Sequence, residues 1–168
     1  MDTLVALDKW VTRLIESILI LLFVAFLMMV CVNVGLRYVF AKSILGGDQF
    51  VTIAFIFTSA LGAAVGIAKR EHIAITFFID QTNYALKKAL YIVGLALIAL
   101  VNAALIYYAI GWISKAGHFP WQPFNLPQGY VHTAIPIGSG LAIFFCMIKI
   151  ILTLAERESI EVLWMPED

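Results

Sequence analysis

Four ionisable residues stand together after the second apolar stretch of the chain: Lys69, Arg70, Glu71 and His72. An imidazole beside a carboxylate can transfer a proton or bind a metal ion. A metal site needs several ligands at a defined spacing, and neither His72 nor Glu71 has a second acidic or histidine partner at such a spacing. We therefore expect no catalytic residue and no metal site here, and the sequence does not predict an enzyme.

Two more histidines, His118 and His132, flank a segment rich in proline and aromatic residues. A haem would need axial ligands that face each other inside a helical bundle, and two histidines that flank a loop do not meet this requirement. No cofactor is therefore expected. A haem- or quinone-binding enzyme subunit that uses the histidines is kept only as the last of three possible functions. Prolines restrict the backbone and aromatic rings offer rigid contact area. The segment suits either the lipid headgroup zone or docking of a protein, with His118, Trp121 and Phe124 as candidate docking residues.

A third polar set surrounds a Gly46-Gly47 turn. Asn33 and Arg37 are four residues apart and so share a helix face, and Tyr38 suits the headgroup level. Asp48 opens the next helix, where a carboxylate is favourable and could meet the guanidinium of Arg37 across the hairpin. The alternative is ordinary interfacial anchoring of these side chains.

Gly62 and Gly66 form a GxxxG spacing within the second apolar stretch. Small residues at this spacing let membrane helices approach closely. One interpretation is close packing among the chain's own helices. The other is a docking face for another membrane subunit.

The elements that carry these residues are predicted to be membrane-spanning helices. The chain of 168 residues is 62% hydrophobic and only 13% charged, about half the usual share for a soluble domain. A helix needs about 20 apolar residues to cross a bilayer, and four stretches are long enough: 15–36, 49–68, 89–113 and 130–154. We predict an all-α membrane protein, with residues 1–168 forming a single four-helix membrane domain.

Two further helices are predicted beside the membrane. Before the first span, apolar residues at helical spacing face away from a polar side, which indicates an N-terminal amphipathic helix in the interface; the polar side comprises Asp8, Lys9, Thr12, Arg13 and Glu16. Between spans 2 and 3, the segment up to Lys88 is too short and too polar to cross again. We expect it to form an in-plane cytoplasmic helix, with Asp80 toward water.

The distribution of Lys and Arg predicts the orientation. One side of the membrane carries most of them, namely Lys9, Arg13, Lys69, Arg70, Lys87, Lys88 and Arg157, with Lys149 within snorkelling reach. The other side carries Arg37, Lys42 and Lys115. By the positive-inside rule, both termini are cytoplasmic.

The middle of each predicted span is free of formal charge. Proteins that carry ions or protons usually place ionisable residues there or interrupt their helices. The chain is therefore poorly equipped to transport anything alone. A small self-assembling transporter or channel, joined through the GxxxG face, stays as the alternative function.

Several motifs coincide in order along nearly the whole chain. Asn33, Arg37 and Tyr38 lie at the end of the first span, and Asp48 lies at the start of the second. Arg70, His72 and Ile73 follow the end of the second span, and Asp80 comes after them. In this pattern the chain resembles the small membrane subunit, called DctQ-type or Q, of tripartite ATP-independent periplasmic (TRAP) transporters. The family often has glutamate where this chain has Asp48.

The resemblance implies a division of labour. A large TRAP membrane subunit would carry the substrate with sodium, a periplasmic substrate-binding protein would deliver it, and this chain would be a non-catalytic scaffold for the large subunit in the bacterial inner membrane. Substrates of such systems include C4-dicarboxylates and sialic acid. Membrane lipids are the other expected partners, with no nucleic acid.

Overall fold

The computed structural model describes residues 2–69 and 83–155. In chain order, the elements are α1 Asp2–Phe40, α2 Gly47–Ala68, α3 Tyr84–Ala116, β1 Pro120–Trp121, β2 Leu126–Pro127, α4 Gln128–His132 and α5 Ala134–Leu154. Within these residues four segments are long and apolar enough to cross a membrane: most of α1, α2, α3, and α4 continued by α5. The predicted all-α membrane fold with four spans is confirmed.

The helices pack around a central pair formed by α2 and α5. Helix α1 packs on α2, and α3 packs on α5. Fully buried Ala64, Phe145 and Cys146 lie in the core, together with Ile15 from α1 and Leu95 from α3. Helices α1 and α3 expose most of their large apolar side chains, as expected of surfaces that meet lipid.

Helices α2 and α5 cross where small residues let their backbones meet. A Cβ atom added at Gly138 would lie 2.6 Å from the backbone oxygen of Ala60, so only glycine fits there. The sequence suggests that Pro136 could kink the fourth span. The structure instead ends the short helix α4 before Thr133 and places Pro136 in the first turn of α5, where its missing N–H costs nothing.

Helix α1 is one continuous helix of 39 residues. At about 1.5 Å of rise per residue it is about 58 Å long, roughly twice the thickness of the hydrocarbon core. The predicted amphipathic segment therefore runs directly into the first span. Its placement in the membrane interface stays a prediction.

Helix α3 begins at Tyr84, about one turn earlier than the predicted third span. Residues 84–88, assigned from the sequence to the in-plane segment, instead form the first turn of α3. The rest of that predicted in-plane helix lies outside the described residues, as do Arg70, His72 and Asp80.

The bundle has two ends, which we name for their contents. The hairpin end carries the turn between α1 and α2 (41–46) and the loop between α3 and α4 (117–127). The ion-pair end carries the first turns of α1 and the last turns of α2 and α5.

Candidate functional site

Asn33 joins α1 to α2 at the hairpin end. Its Nδ2 donates a hydrogen bond to Oδ1 of Asp48 over 2.9 Å, and its Oδ1 accepts one from the backbone N–H of Ile44 over 3.0 Å. The residue is only 6% exposed. A single buried amide thus binds both the turn and the first residues of α2, and it uses its donor and its acceptor together.

The predicted contact between Arg37 and Asp48 is present in a weak form. Arg37 Nη2 lies 3.8 Å from Oδ2 of Asp48, and the two side chains are 62% and 75% exposed. Exposed ion pairs at this distance contribute little because water screens them. The buried amide of Asn33, rather than the guanidinium, is the main partner of Asp48.

Two glycines make this turn possible. Gly46 adopts a φ of +83°, a left-handed conformation that glycine adopts without cost. A Cβ atom added at Gly47 would lie 2.9 Å from Nδ2 of Asn33, so Gly47 leaves room for the buried amide. Phe124 from the neighbouring loop lies over Gly46 in the space that a Cβ atom would occupy. The two loops of the hairpin end are therefore packed together.

The second loop is itself ordered by backbone contacts. Strands β1 and β2 pair antiparallel, and the N–H of Gly129 donates to the carbonyl of Gly117 over 2.8 Å. The ring of His132 lies near two indoles, with its centroid 4.4 Å from that of Trp112 and 6.4 Å from that of Trp121. His118 is exposed beside Phe119. His132 and Trp121 thus help to fix the loop, whereas His118 and half-exposed Phe124 stand at its surface.

A buried ion pair joins α1 to α5 at the opposite end. Nζ of Lys149 lies 3.5 Å from Oδ2 of Asp8, and the two side chains are 1% and 7% exposed. The sequence analysis placed Lys149 within snorkelling reach of the membrane surface and Asp8 on the polar side of an interfacial helix. In the structure the two charges instead meet inside the bundle, so Lys149 does not snorkel. Pairing removes the large cost of placing either charge alone in an apolar environment.

The same stripe of α1 makes a second ion pair. Glu16 pairs with Lys69 at the end of α2, and Thr12, between Asp8 and Glu16 on the same helix face, is also buried. The polar side of the N-terminal segment therefore faces the bundle. Leu7, Leu14 and Ile18 of its apolar side are exposed instead.

Gly62 and Gly66 are not sites of close packing among the described helices. A Cβ atom added at either glycine would meet no atom within 4 Å. Both line an open groove of about 430 Å³ beside Leu19 and Ile20 of α1. The interpretation as close packing within the chain does not hold for this pair in the described part of the structure. The docking interpretation stays a prediction.

The described residues thus define a class of protein: a multi-pass membrane protein whose described ion pairs lie toward the two ends of its bundle, where they join its own helices. The family model described as "Tripartite ATP-independent periplasmic transporters, DctQ component" matches residues 26–156. The chain belongs to this family, which confirms the resemblance seen in the motifs.

The chain is also similar to the sialic acid TRAP transporter small permease protein SiaQ of Vibrio cholerae serotype O1. The two are 21% identical over 161 residues, covering 92% of each chain. The chain is accordingly a small permease subunit of a TRAP transporter, a non-enzymatic protein with several spans in the inner membrane. Membership in the family implies a complex with a large membrane subunit and a substrate-binding protein.

Sequence reasoning missed the most buried polar contacts. It found Asn33 and Asp48 but paired Asp48 with Arg37, and it did not join Asp8 to Lys149. Two signals were available. Asp8, Thr12 and Glu16 recur every four residues, which marks one helix face, and a lysine inside an apolar span requires a partner.

Proposed function

We propose that the chain is a non-catalytic scaffold subunit, which holds the large membrane subunit of a TRAP transporter in place while that subunit carries the substrate. The observation that carries the proposal is where the described ion pairs lie. Asp8–Lys149 and Glu16–Lys69 join helices at one end, and Arg37–Asp48 lies at the other. Groups used in this way fix how the helices of the chain are arranged relative to one another, and they do not form a path for a substrate.

The middle of the bundle supports the same proposal. Its core is formed by apolar side chains and small residues from α2 and α5, including Ala64, Ala142 and Phe145. Carrying an ion through a bundle requires ionisable or carbonyl groups that face a path at that depth. The substrate and its coupling ion therefore bind to the large subunit, and this chain enlarges the part of the complex that stays still.

We further propose that both termini are cytoplasmic and that residues 1–168 act as one membrane domain. Lys9, Arg13, Lys69 and Lys149 lie toward the ion-pair end, whereas Arg37 and Lys42 lie at the hairpin end. By the positive-inside rule, the ion-pair end faces the cytoplasm. The hairpin end then faces the periplasm.

The substrate-binding protein would dock at the hairpin end. Packing of Phe124 over Gly46 joins the two loops into one surface. This surface exposes large apolar groups: Leu45 is 84% exposed and the aromatic Phe119 is 60% exposed. Rigid aromatic side chains of this kind are frequent anchors in protein interfaces. Of the predicted docking residues, His118 and Phe124 stand at this surface, and Trp121 would contribute by fixing the loop that presents them.

Sodium coupling and an organic acid substrate, such as a C4-dicarboxylate or sialic acid, complete the proposal. They rest on the family and on the name of the Vibrio cholerae relative. The alternative, a small self-assembling transporter or channel, would need the chain to work without the large subunit.

The deciding experiment is gentle purification of the tagged chain, expressed with a large TRAP subunit, followed by native mass spectrometry. We expect a complex of the two chains in a one-to-one ratio. Recovery of this chain alone, as a homo-oligomer that transports solute in liposomes, would replace the scaffold with the self-assembling transporter.

A further inference from the structure

A groove of about 530 Å³ runs along one face of the bundle, between α2 and α3 and above α5. Its α2 side is the exposed stripe of that helix, which includes Phe55, Ser59 and Ala63. Gly138 and Ser139 of α5 form its floor. Apart from its polar groups, described next, the lining is small or apolar.

The groove contains polar groups whose hydrogen-bonding capacity is not used within the described structure. Ser139 is only 6% exposed, and its hydroxyl makes no hydrogen bond to any described residue. Ser59 likewise makes none. Asn102 donates from Nδ2 to the carbonyl of Ile98 over 2.9 Å, which leaves its Oδ1 available as an acceptor.

Other hydroxyls in these helices behave differently. Ser17, Thr52, Thr58 and Thr153 each donate to the backbone carbonyl four residues earlier, the usual solution inside a helix. Ser59 and Ser139 make no such bond, and both line the same groove. Thr12 of α1 makes none to the described residues either, but it lies at the ion-pair end, away from this groove. The unused hydroxyls of Ser59 and Ser139 and the acceptor of Asn102 are therefore concentrated on one surface.

We propose that this groove is the binding site for a transmembrane helix of the large subunit. That helix presents a hydrogen-bonding side chain to Ser139 and Asn102. The inference rests on the proposed function, since it requires that a large subunit be bound. It also identifies the face of the chain that the large subunit contacts.

The chemistry of the groove favours a helix over a lipid chain. Hydrocarbon offers no donor or acceptor, and an unsatisfied polar group in an apolar environment is unfavourable. A polar side chain on a neighbouring helix satisfies such groups, and the small residues Ser59 and Ala63 allow that helix to come close. These two requirements together are typical of helix interfaces in membranes.

The test places the photo-crosslinking residue p-benzoylphenylalanine at Ala63 in the groove. Ala96 serves as the matched control, because it is an exposed alanine of α3 that does not line the groove. Each variant is expressed with a tagged large subunit, purified as the complex and illuminated. We expect a crosslink to the large subunit from position 63 and at least about tenfold less from position 96.

The outcomes separate this inference from the proposed function. If the unmodified chain binds the large subunit but position 63 crosslinks to lipid or to a second copy, the groove assignment is wrong and the scaffold role stands. Equal crosslinking from positions 63 and 96 also overturns the assignment. If the unmodified chain binds no large subunit, both proposals fail.

A second measurement tests the hydrogen bonds. Ser139→Ala removes a hydroxyl that makes no bond within the described chain, so the isolated subunit should unfold at an unchanged temperature. The affinity for the large subunit should fall about threefold or more, the usual effect of one hydrogen bond between membrane helices. Ser17→Ala, whose hydroxyl bonds to its own helix, should leave the affinity unchanged. Equal affinities for both variants would contradict the proposal.

Discussion

Nζ of Lys149 lies 3.5 Å from Oδ2 of Asp8, and this contact joins the last spanning helix to the first turns of the chain. Both side chains are almost wholly buried. A buried ion pair contributes little net stability compared with apolar residues of similar volume at the same positions. Loss of one partner, however, leaves the other charge buried without that partner, which is strongly unfavourable. The pair therefore specifies how α1 and α5 are arranged.

Breaking this pair should destabilise the subunit strongly. Asp8→Ala leaves the ammonium of Lys149 without this carboxylate, and loss of one partner of a buried ion pair costs about 3–5 kcal/mol. Thermal unfolding of the purified chain in detergent, followed by tryptophan fluorescence, measures the change.

The double variant Asp8→Leu with Lys149→Met is the control for this prediction. It replaces the charges with apolar side chains of similar size, so most of the lost stability should return. Lys9→Ala, at an exposed neighbour, should have little effect. If the double variant is no more stable than Asp8→Ala, the buried charge is not the cause of the loss.

The sequence predicts the four spans well because length and hydrophobicity decide membrane insertion. It does not predict which helix faces meet, since large apolar side chains point in every direction along α1 and α3. The partner of Lys149 depends on how far α1 extends beside α5, a packing property that local periodicity does not contain. For the same reason, Gly62 and Gly66 stood out as a motif while the actual close contact falls at Gly138 and Ala60.

Asn33 should contribute more to stability than Arg37. Asn33→Ala removes both hydrogen bonds that fix the turn, and leaving partly buried groups unsatisfied costs about 1–3 kcal/mol. Arg37→Ala removes an exposed pair and should cost about 1 kcal/mol or less. Unfolding curves of the two variants, measured side by side, check the order. A larger loss for Arg37→Ala would contradict it.

The turn at the hairpin end should not tolerate a side chain at Gly46. Gly46→Ala forces a left-handed backbone on alanine, which costs about 1–2 kcal/mol, and it also displaces Phe124. In a Phe124→Ala background only the backbone cost should remain. Gly35→Ala, in open space on α1, should be neutral or slightly stabilising. Equal stabilities of the Gly46→Ala and Gly35→Ala variants would refute the prediction.

His72 should not have a chemical role in transport. It lies outside the described residues, and its neighbours in the sequence offer no second ligand or acidic partner at a suitable spacing. His72→Ala in the whole complex should retain more than a trace of substrate uptake, measured with labelled substrate in cells. Loss of all uptake with normal assembly would assign the imidazole a direct part in the chemistry.

The glycines of α2 and α5 should have different functions, which two measurements can separate. Gly138→Ala places a Cβ atom 2.6 Å from the backbone oxygen of Ala60, and such overpacking costs about 1–3 kcal/mol. The isolated chain should therefore unfold at a lower temperature. A Cβ atom at Gly62 or Gly66 meets no atom within 4 Å, and the adjoining groove of about 430 Å³ has room for the rest of a leucine. Gly62→Leu and Gly66→Leu should therefore leave that temperature nearly unchanged.

As interface candidates, however, Gly62→Leu and Gly66→Leu should lower the amount of complex recovered with the large subunit. The face of α2 that carries Gly62 and Gly66 differs from the face that lines the groove at Ser59 and Ala63. A leucine at either glycine would obstruct a helix of the large subunit that packs on the glycine face, a second helix besides the one proposed for the groove. Full recovery of the complex would mean that the large subunit does not cover the glycine face. The small pair would then face lipid, and the groove would be the remaining candidate face on α2.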